Sequence, residues 1–138
     1  MLEHHLNCAQ SVVSVFCEDF GLARNLGIKV AMGFGGGMAR GGKTCGAVTG
    51  AYMVLGLSQR LNENNPRETM DRTYKLIHEF NRQFKEMHGS LCCKDLINYD
   101  LSVPEQRAIA HDKGIFNSVC PDLVRDATQI IESIRSTY

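Results

Sequence analysis

The chain has 138 residues, 43% of them hydrophobic, which is enough for one globular domain with a core. Fifteen basic and fifteen acidic side chains cancel, so neither a nucleic-acid-binding face nor an acidic solvating tail is expected. Arg, Lys, Gly or Asn interrupts each apolar stretch before a membrane-spanning length, and Met1-Leu2-Glu3-His4-His5 lacks the basic start and apolar run of a secretory signal. The expected setting is the cytoplasm, without nucleic-acid or membrane partners. Six cysteines are reduced there and do not make a disulfide framework. Catalysis, redox chemistry, metal binding and plain burial are the readings left.

Helical periodicity runs through the chain. Leu6, Ala9, Val13, Phe16 and Phe20 repeat at threes and fours, predicting an amphipathic helix that ends near Gly21. Leu26 to Phe34 is ambiguous between helix and strand. Six glycines between Gly33 and Gly42 require a loop or tight turn. From Cys45, the small and apolar residues through Leu55 predict a closely packed helix stopping near Gly56. Pro66 starts a long helix with an apolar stripe of Met70, Tyr74, Ile77, Phe80, Phe84 and Met87, ended by Gly89. Its Glu79 and Glu86 read as a wet face. Cys92 to Ile97 predicts a short helix, and Ser102-Val103-Pro104-Glu105 caps another. The last helix, from Pro121 to near Ser136, buries Leu123, Val124, Ala127, Ile130, Ile131 and Ile134. The expected fold is all-α: one domain over residues 1–138, a bundle of about five to seven helices with a Gly-rich loop.

Three or four of the cysteines fall where a helix should begin. Thr44-Cys45-Gly46 closes the glycine-rich loop, Ser90-Leu91-Cys92-Cys93 opens one apolar run, and Cys120-Pro121-Asp122 opens the last. Asn7-Cys8-Ala9-Gln10 is a fourth case, with Asn7 as cap and Gln10 three residues on. Free amides and the dipole at a helix start favour thiolate over thiol. Cys45 is the strongest candidate. Gly35, Gly36 and Gly37 before it and Gly46 after it leave room for a cofactor or a partner sulfur, and Arg40 and Lys43 add positive charge. Cys92 and Cys93 point about a hundred degrees apart on a helix, so only one of them faces a shared site. Cys17 lies inside the first helix and reads as core. The histidines, His4, His5, His78, His88 and His111, read as terminal, surface or rim residues.

The spacing contains no C-x-x-C pair, so compact zinc motifs and covalent haem attachment are unsupported. A dispersed four-cysteine site suits an iron–sulfur cluster, whose ligands come from distant segments. Two rivals come from other classes. Gly37 to Thr44 matches the P-loop pattern G-x-x-x-x-G-K-[ST] letter for letter, which reads as a nucleotide- or phosphate-binding module if a buried strand precedes it. The blander rival is a non-catalytic interaction domain with buried cysteines.

Asn-Cys-Ala-Gln-Ser-Val at 7–12, Gly-Phe-Gly-Gly-Gly-Met at 33–38, Cys-Gly-Ala-Val-Thr-Gly at 45–50, Gly89-Ser90 through Cys93, Asp100-Leu101-Ser102 and Cys120-Pro121 occur in order. Together they resemble the signature of the C_GCAxxG_C_C family of redox-active proteins of bacteria and archaea. The resemblance covers nearly the whole chain. It implies that Cys8, Cys45, Cys93 and Cys120 form the site, and that Cys17 and Cys92 are extra. A similar segment in multihaem cytochromes of sulfate reducers implies electron transfer rather than hydrolysis. The expectation is a convergent site acting by thiol–disulfide chemistry or as ligands of an iron–sulfur cluster or another thiophilic metal. In the thiol version Cys45 attacks, and Cys93 or Cys120 resolves. The sequence does not choose between an oxidoreductase and an electron-transfer protein. Small residues on the Cys45 helix suit close packing, within one chain or between two in a homodimer.

Overall fold

In the computed structural model, which describes residues 5–137, the chain is all-α, with no strand among the described residues. Six of its helices are eight residues or longer. The first, α1 (Cys8–Phe16), begins on a capping box: the Asn7 side chain accepts from the Gln10 amide at 2.9 Å, and the Gln10 side chain accepts from the Asn7 amide at 3.0 Å. A 3-10 turn over Cys17–Phe20 continues it, and Gly21, left-handed at φ 81°, ends it as the periodicity predicts. The ambiguous Ile28-Lys29-Val30 lies inside α2 (Arg24–Ala31). His4 and the residues before it lie outside the described residues.

Helix α3 (Gly46–Leu57) packs most extensively against α1. Its small residues serve that contact within one chain: a Cβ at Gly50 would stand 2.9 Å from the Ala9 carbonyl oxygen. Helix α4 (Pro66–His88) starts with Asn65 accepting from the Glu68 amide and Pro66 in the first turn. Its predicted stripe is rotated. Met70, Tyr74 and Met87 are about half exposed (48–53%), while Thr69, Leu76, Phe80 and Phe84 are buried. The buried set repeats mostly at fours, and the methionines and Tyr74 sit one position to the side of it. Arg82 pairs with Glu79 at 2.6 Å and Glu86 at 2.9 Å on the wet face.

Three short-to-medium helices follow: α5 (Cys93–Ile97), α6 (Pro104–Asp112) and α7 (Ile115–Ser118). Ser102 does not cap α6; its hydroxyl donates to Asp100 at 2.6 Å, and Pro104 opens the helix after Val103. Helix α8 (Cys120–Thr137) buries Leu123, Val124, Ala127, Ile130, Ile131 and Ile134 against α1, α3 and α4. Phe16, Phe80 and Phe84 fill the centre of that layer, each contributing roughly 2–3 kcal/mol through burial. Cys17 is fully buried among them. His88 is not a rim residue: it stacks on Phe84, and its Nε2 lies 3.0 Å from Asp126 Oδ2. No helix among the described residues is long and apolar enough to cross a membrane.

Candidate functional site

The packing of α1, α3, α5 and α8 brings four helix starts to one place. Cys8, Cys93 and Cys120 are the first residues of α1, α5 and α8, and Cys45 is the N-cap of α3. All four thiols line one cavity of about 1060 Å³, together with Gly35, Gly36, Gly37 and Gly46. None of the six cysteines is in a disulfide.

A two-rung ladder fixes the register between the glycine loop and α5. The Cys45 amide donates to the Leu91 carbonyl at 2.8 Å, the Cys93 amide donates to the Lys43 carbonyl at 2.6 Å, and Thr44 and Cys92 form an isolated antiparallel bridge between them. Side chains alternate sides along extended backbone. Cys45 and Cys93 therefore turn to the main cavity, and Cys92 turns away. Cys92 donates its S–H to the Gly42 carbonyl at 3.2 Å and lines a separate cavity of about 530 Å³ with Lys43, Lys85 and Lys94.

The loop itself is under strain. Gly36, Gly37, Met38, Ala39 and Arg40 are consecutively left-handed, at φ 64°, 72°, 71°, 52° and 62°. Glycine accepts this geometry, but each L-residue in it costs roughly 1–2 kcal/mol. The turn is held by amides of Arg40, Gly42 and Lys43 donating to the carbonyls of Gly35, Gly36 and Gly37. Ala39→Gly therefore relieves more strain than the added unfolded-state entropy costs. It is expected to raise stability by about 0.5–1 kcal/mol in chemical denaturation. The same hydrogen bonds bear on the P-loop pattern. A phosphate cradle needs a preceding strand and unspent amides, whereas this segment follows a 3-10 turn and spends the amides of Arg40, Gly41, Gly42 and Lys43 on carbonyls of the same loop.

Electrostatics separates the four thiols. Cys8 and Cys120 share a hydrogen bond and titrate as a pair. The bond from Cys8 holds the Cys120 thiol below the ordinary cysteine range, against the effect of burial. The same bond, with burial and the three neighbouring thiols, holds Cys8 well above it. Of the two, Cys120 is the more acidic thiol and Cys8 the one that holds its proton more tightly. Cys45 departs from the sequence expectation. Burial pushes its thiol up to about 11, and the Ala47 and Val48 amides at the start of α3 pull it down without offsetting that. Burial, then Cys45 and Cys120, push Cys93 up to about 12.

These raised values fix the sign of a pH effect. Folded Cys45 and Cys93 keep protons that the unfolded chain releases above about pH 9, so unfolding is favoured as pH rises toward 11 and 12. At 1.4 kcal/mol per unit, Cys45 alone accounts for a loss on the order of 2–3 kcal/mol. Urea unfolding of the reduced protein at pH 8 and pH 11 measures it, and Cys45→Ala removes part of the dependence.

Sequence reasoning missed two neighbours of the thiols. Arg107 of α6 reaches the cavity while donating to the Leu101 carbonyl at 3.2 Å. Asp100, held below the usual carboxylate range by the Ser102 hydroxyl and amide, adds to the upward push on Cys93. Asp100 belongs to the Asp100-Leu101-Ser102 signature segment, though the sequence does not mark it as a neighbour of the thiols; Arg107 depends on how α6 folds back. Among the described residues, no group of three or more His, Cys, Asp and Glu side chains is arranged to hold a single metal ion.

A family model described as "Putative redox-active protein (C_GCAxxG_C_C)" matches residues 6–134. The chain is 33% identical to an uncharacterised protein of Archaeoglobus fulgidus, over 78% of this chain and 76% of that one. No solved structure matches it.

Proposed function

Because this chain belongs to the C_GCAxxG_C_C family of redox-active proteins, we propose that it carries out thiol–disulfide exchange at the four-thiol cavity, with Cys120 as the attacking thiolate and Cys8 as its resolving partner. The observation that carries this reading is the meeting of Cys8 and Cys120, at the starts of α1 and α8, in one cavity, where their interaction shifts Cys120 down and Cys8 up. The Cys120 thiolate attacks one sulfur of a substrate disulfide; that bond breaks, a mixed disulfide forms, and the first thiolate leaves with the electron pair. Cys8 then gives up its proton and attacks Cys120, forming the Cys8–Cys120 disulfide and releasing the second thiol. Two electrons pass from the protein to the substrate. Cys45 and Cys93, kept protonated by burial, stand beside the pair.

The test uses Cys8→Ser. Serine still donates a hydrogen bond, so Cys120 still attacks, but the mixed disulfide has no resolving thiol and accumulates. Intact-mass measurement then shows one stable adduct per chain, mapped to Cys120. Turnover of the adduct at the wild-type rate would overturn the assignment of Cys8.

One observation favours a second reading: four thiols converge rather than two. Cys8, Cys45, Cys93 and Cys120 would hold an iron–sulfur cluster, which supplies one-electron transfer when bound. The donors are all soft, and a cluster spreads its ligands over more than one iron, so it does not need three donors aimed at one ion. Metal binding deprotonates the thiols whatever their free pKa. Iron and sulfide content of protein purified without oxygen decides between the two readings.

A further inference from the structure

The thiol cavity is larger than the sulfurs need. About 1060 Å³ is the size of a small-molecule site. Its walls beyond the cysteines and glycines are largely apolar, with Ile97, Leu101, Phe116 and Leu123 among them. Its charges come from few groups. Arg40 stands on the strained left-handed turn, and no ion pair engages it among the described residues. Arg107 stands on α6, its guanidinium committed only to the Leu101 carbonyl. The one carboxylate lining the cavity, Asp112, lies 3.7 Å from His111 Nδ1. Two arginines and two histidines therefore line the cavity beside one carboxylate and the four thiols, on an otherwise apolar wall. Three L-residues held left-handed, Arg40 among them, are a cost that the fold bears at this one place.

We infer that the cavity binds a small anionic disulfide with an apolar body, drawn in by Arg40 and Arg107 and presented to the thiols. This rests on the thiol–disulfide reading above and adds the class of substrate. The apolar part displaces water from Phe116 and its neighbours, and the negative charge is met by guanidiniums, which suit planar carboxylates. The attack and resolution steps are those already written, with the two halves of the substrate leaving as thiols.

The experiment compares two aromatic disulfides on the full reduced chain carrying Cys92→Ser, which removes the thiol of the other cavity. One is the dianionic dithiobis(nitrobenzoate), and the other is the neutral dithiodipyridine. Rates are normalised to those with a free small thiol. The anionic probe is expected to react faster by about tenfold at low salt, the preference shrinking as salt rises. Arg40→Gln with Arg107→Gln is expected to remove that preference, Arg40→Lys with Arg107→Lys to retain most of it, and Lys75→Gln, on exposed α4, to keep it whole. Equal normalised rates in the starting chain, or a preference that survives the double glutamine change, would overturn the inference and leave the exchange reading standing. Failure of both probes to react with the native protein would instead remove the exchange reading itself.

Discussion

Replacing Cys120 with serine is expected to slow native-state reaction with a disulfide by about a hundredfold or more at pH 7. The reason lies in the remaining thiols. With pKa values raised to about 11 and about 12, Cys45 and Cys93 are poor sources of thiolate. At pH 7 only about one Cys45 in ten thousand is ionised. Cys8 is held well above an ordinary thiol, although loss of Cys120 removes the main cause. Cys17 is fully buried. Cys92 is partly exposed and lies outside the cavity, so the comparison is made on Cys92→Ser. The pH profile carries the same information: reaction of the parent protein sets in below the ordinary cysteine range, because the hydrogen bond from Cys8 lowers Cys120. In Cys120→Ser that early limb disappears while circular dichroism stays unchanged.

The second large effect belongs to Gly37. Its φ is 72°, and a Cβ there would stand 2.6 Å from the Lys43 amide nitrogen and 2.7 Å from Cys93 Cβ. Backbone strain and overpacking add, so Gly37→Ala is expected to cost about 3–5 kcal/mol. The damage is directional. The alanine pushes on the Lys43–Cys93 rung that fixes the loop to α5, so Cys93 leaves the cavity wall before the core opens. Gly56→Ala is the contrast. Nothing lies within 4 Å of its added methyl group, and it sits in the exposed last turn of α3. Alanine there is expected to raise stability by about 0.5–1 kcal/mol. Urea titration of both variants measures the pair of outcomes.

Much of the fold is legible in the sequence. The capping pattern Asn7 to Gln10, Pro66 after Asn65, and glycines at 21 and 89 marked helix ends because each rests on local backbone chemistry. The same local rules placed the cysteines at helix starts. What they could not give was depth. A helix start lowers a thiol pKa only where solvent or a donor helps carry the charge, and Cys45 lies at 3% exposure. Burial therefore outweighs its two amides. Nor could spacing reveal that Cys8 would meet Cys120, since α1 and α8 lie at opposite ends of the chain. The α4 stripe was misplaced for a related reason. A helix with apolar residues on several faces does not say which face the core takes, and Met70, Tyr74 and Met87 lost to Leu76. The left-handed turn at 36–40 was hidden because Met38, Ala39 and Arg40 are not residues that announce it.

The most direct measurement is a disulfide map of the full chain. Reduced protein would be treated with a limiting amount of disulfide, quenched with an alkylating agent and digested without reductant. The account predicts that the first linked peptide pair joins Cys8 to Cys120, with Cys45 and Cys93 alkylated only after unfolding. A first disulfide that leaves either Cys8 or Cys120 free would contradict it.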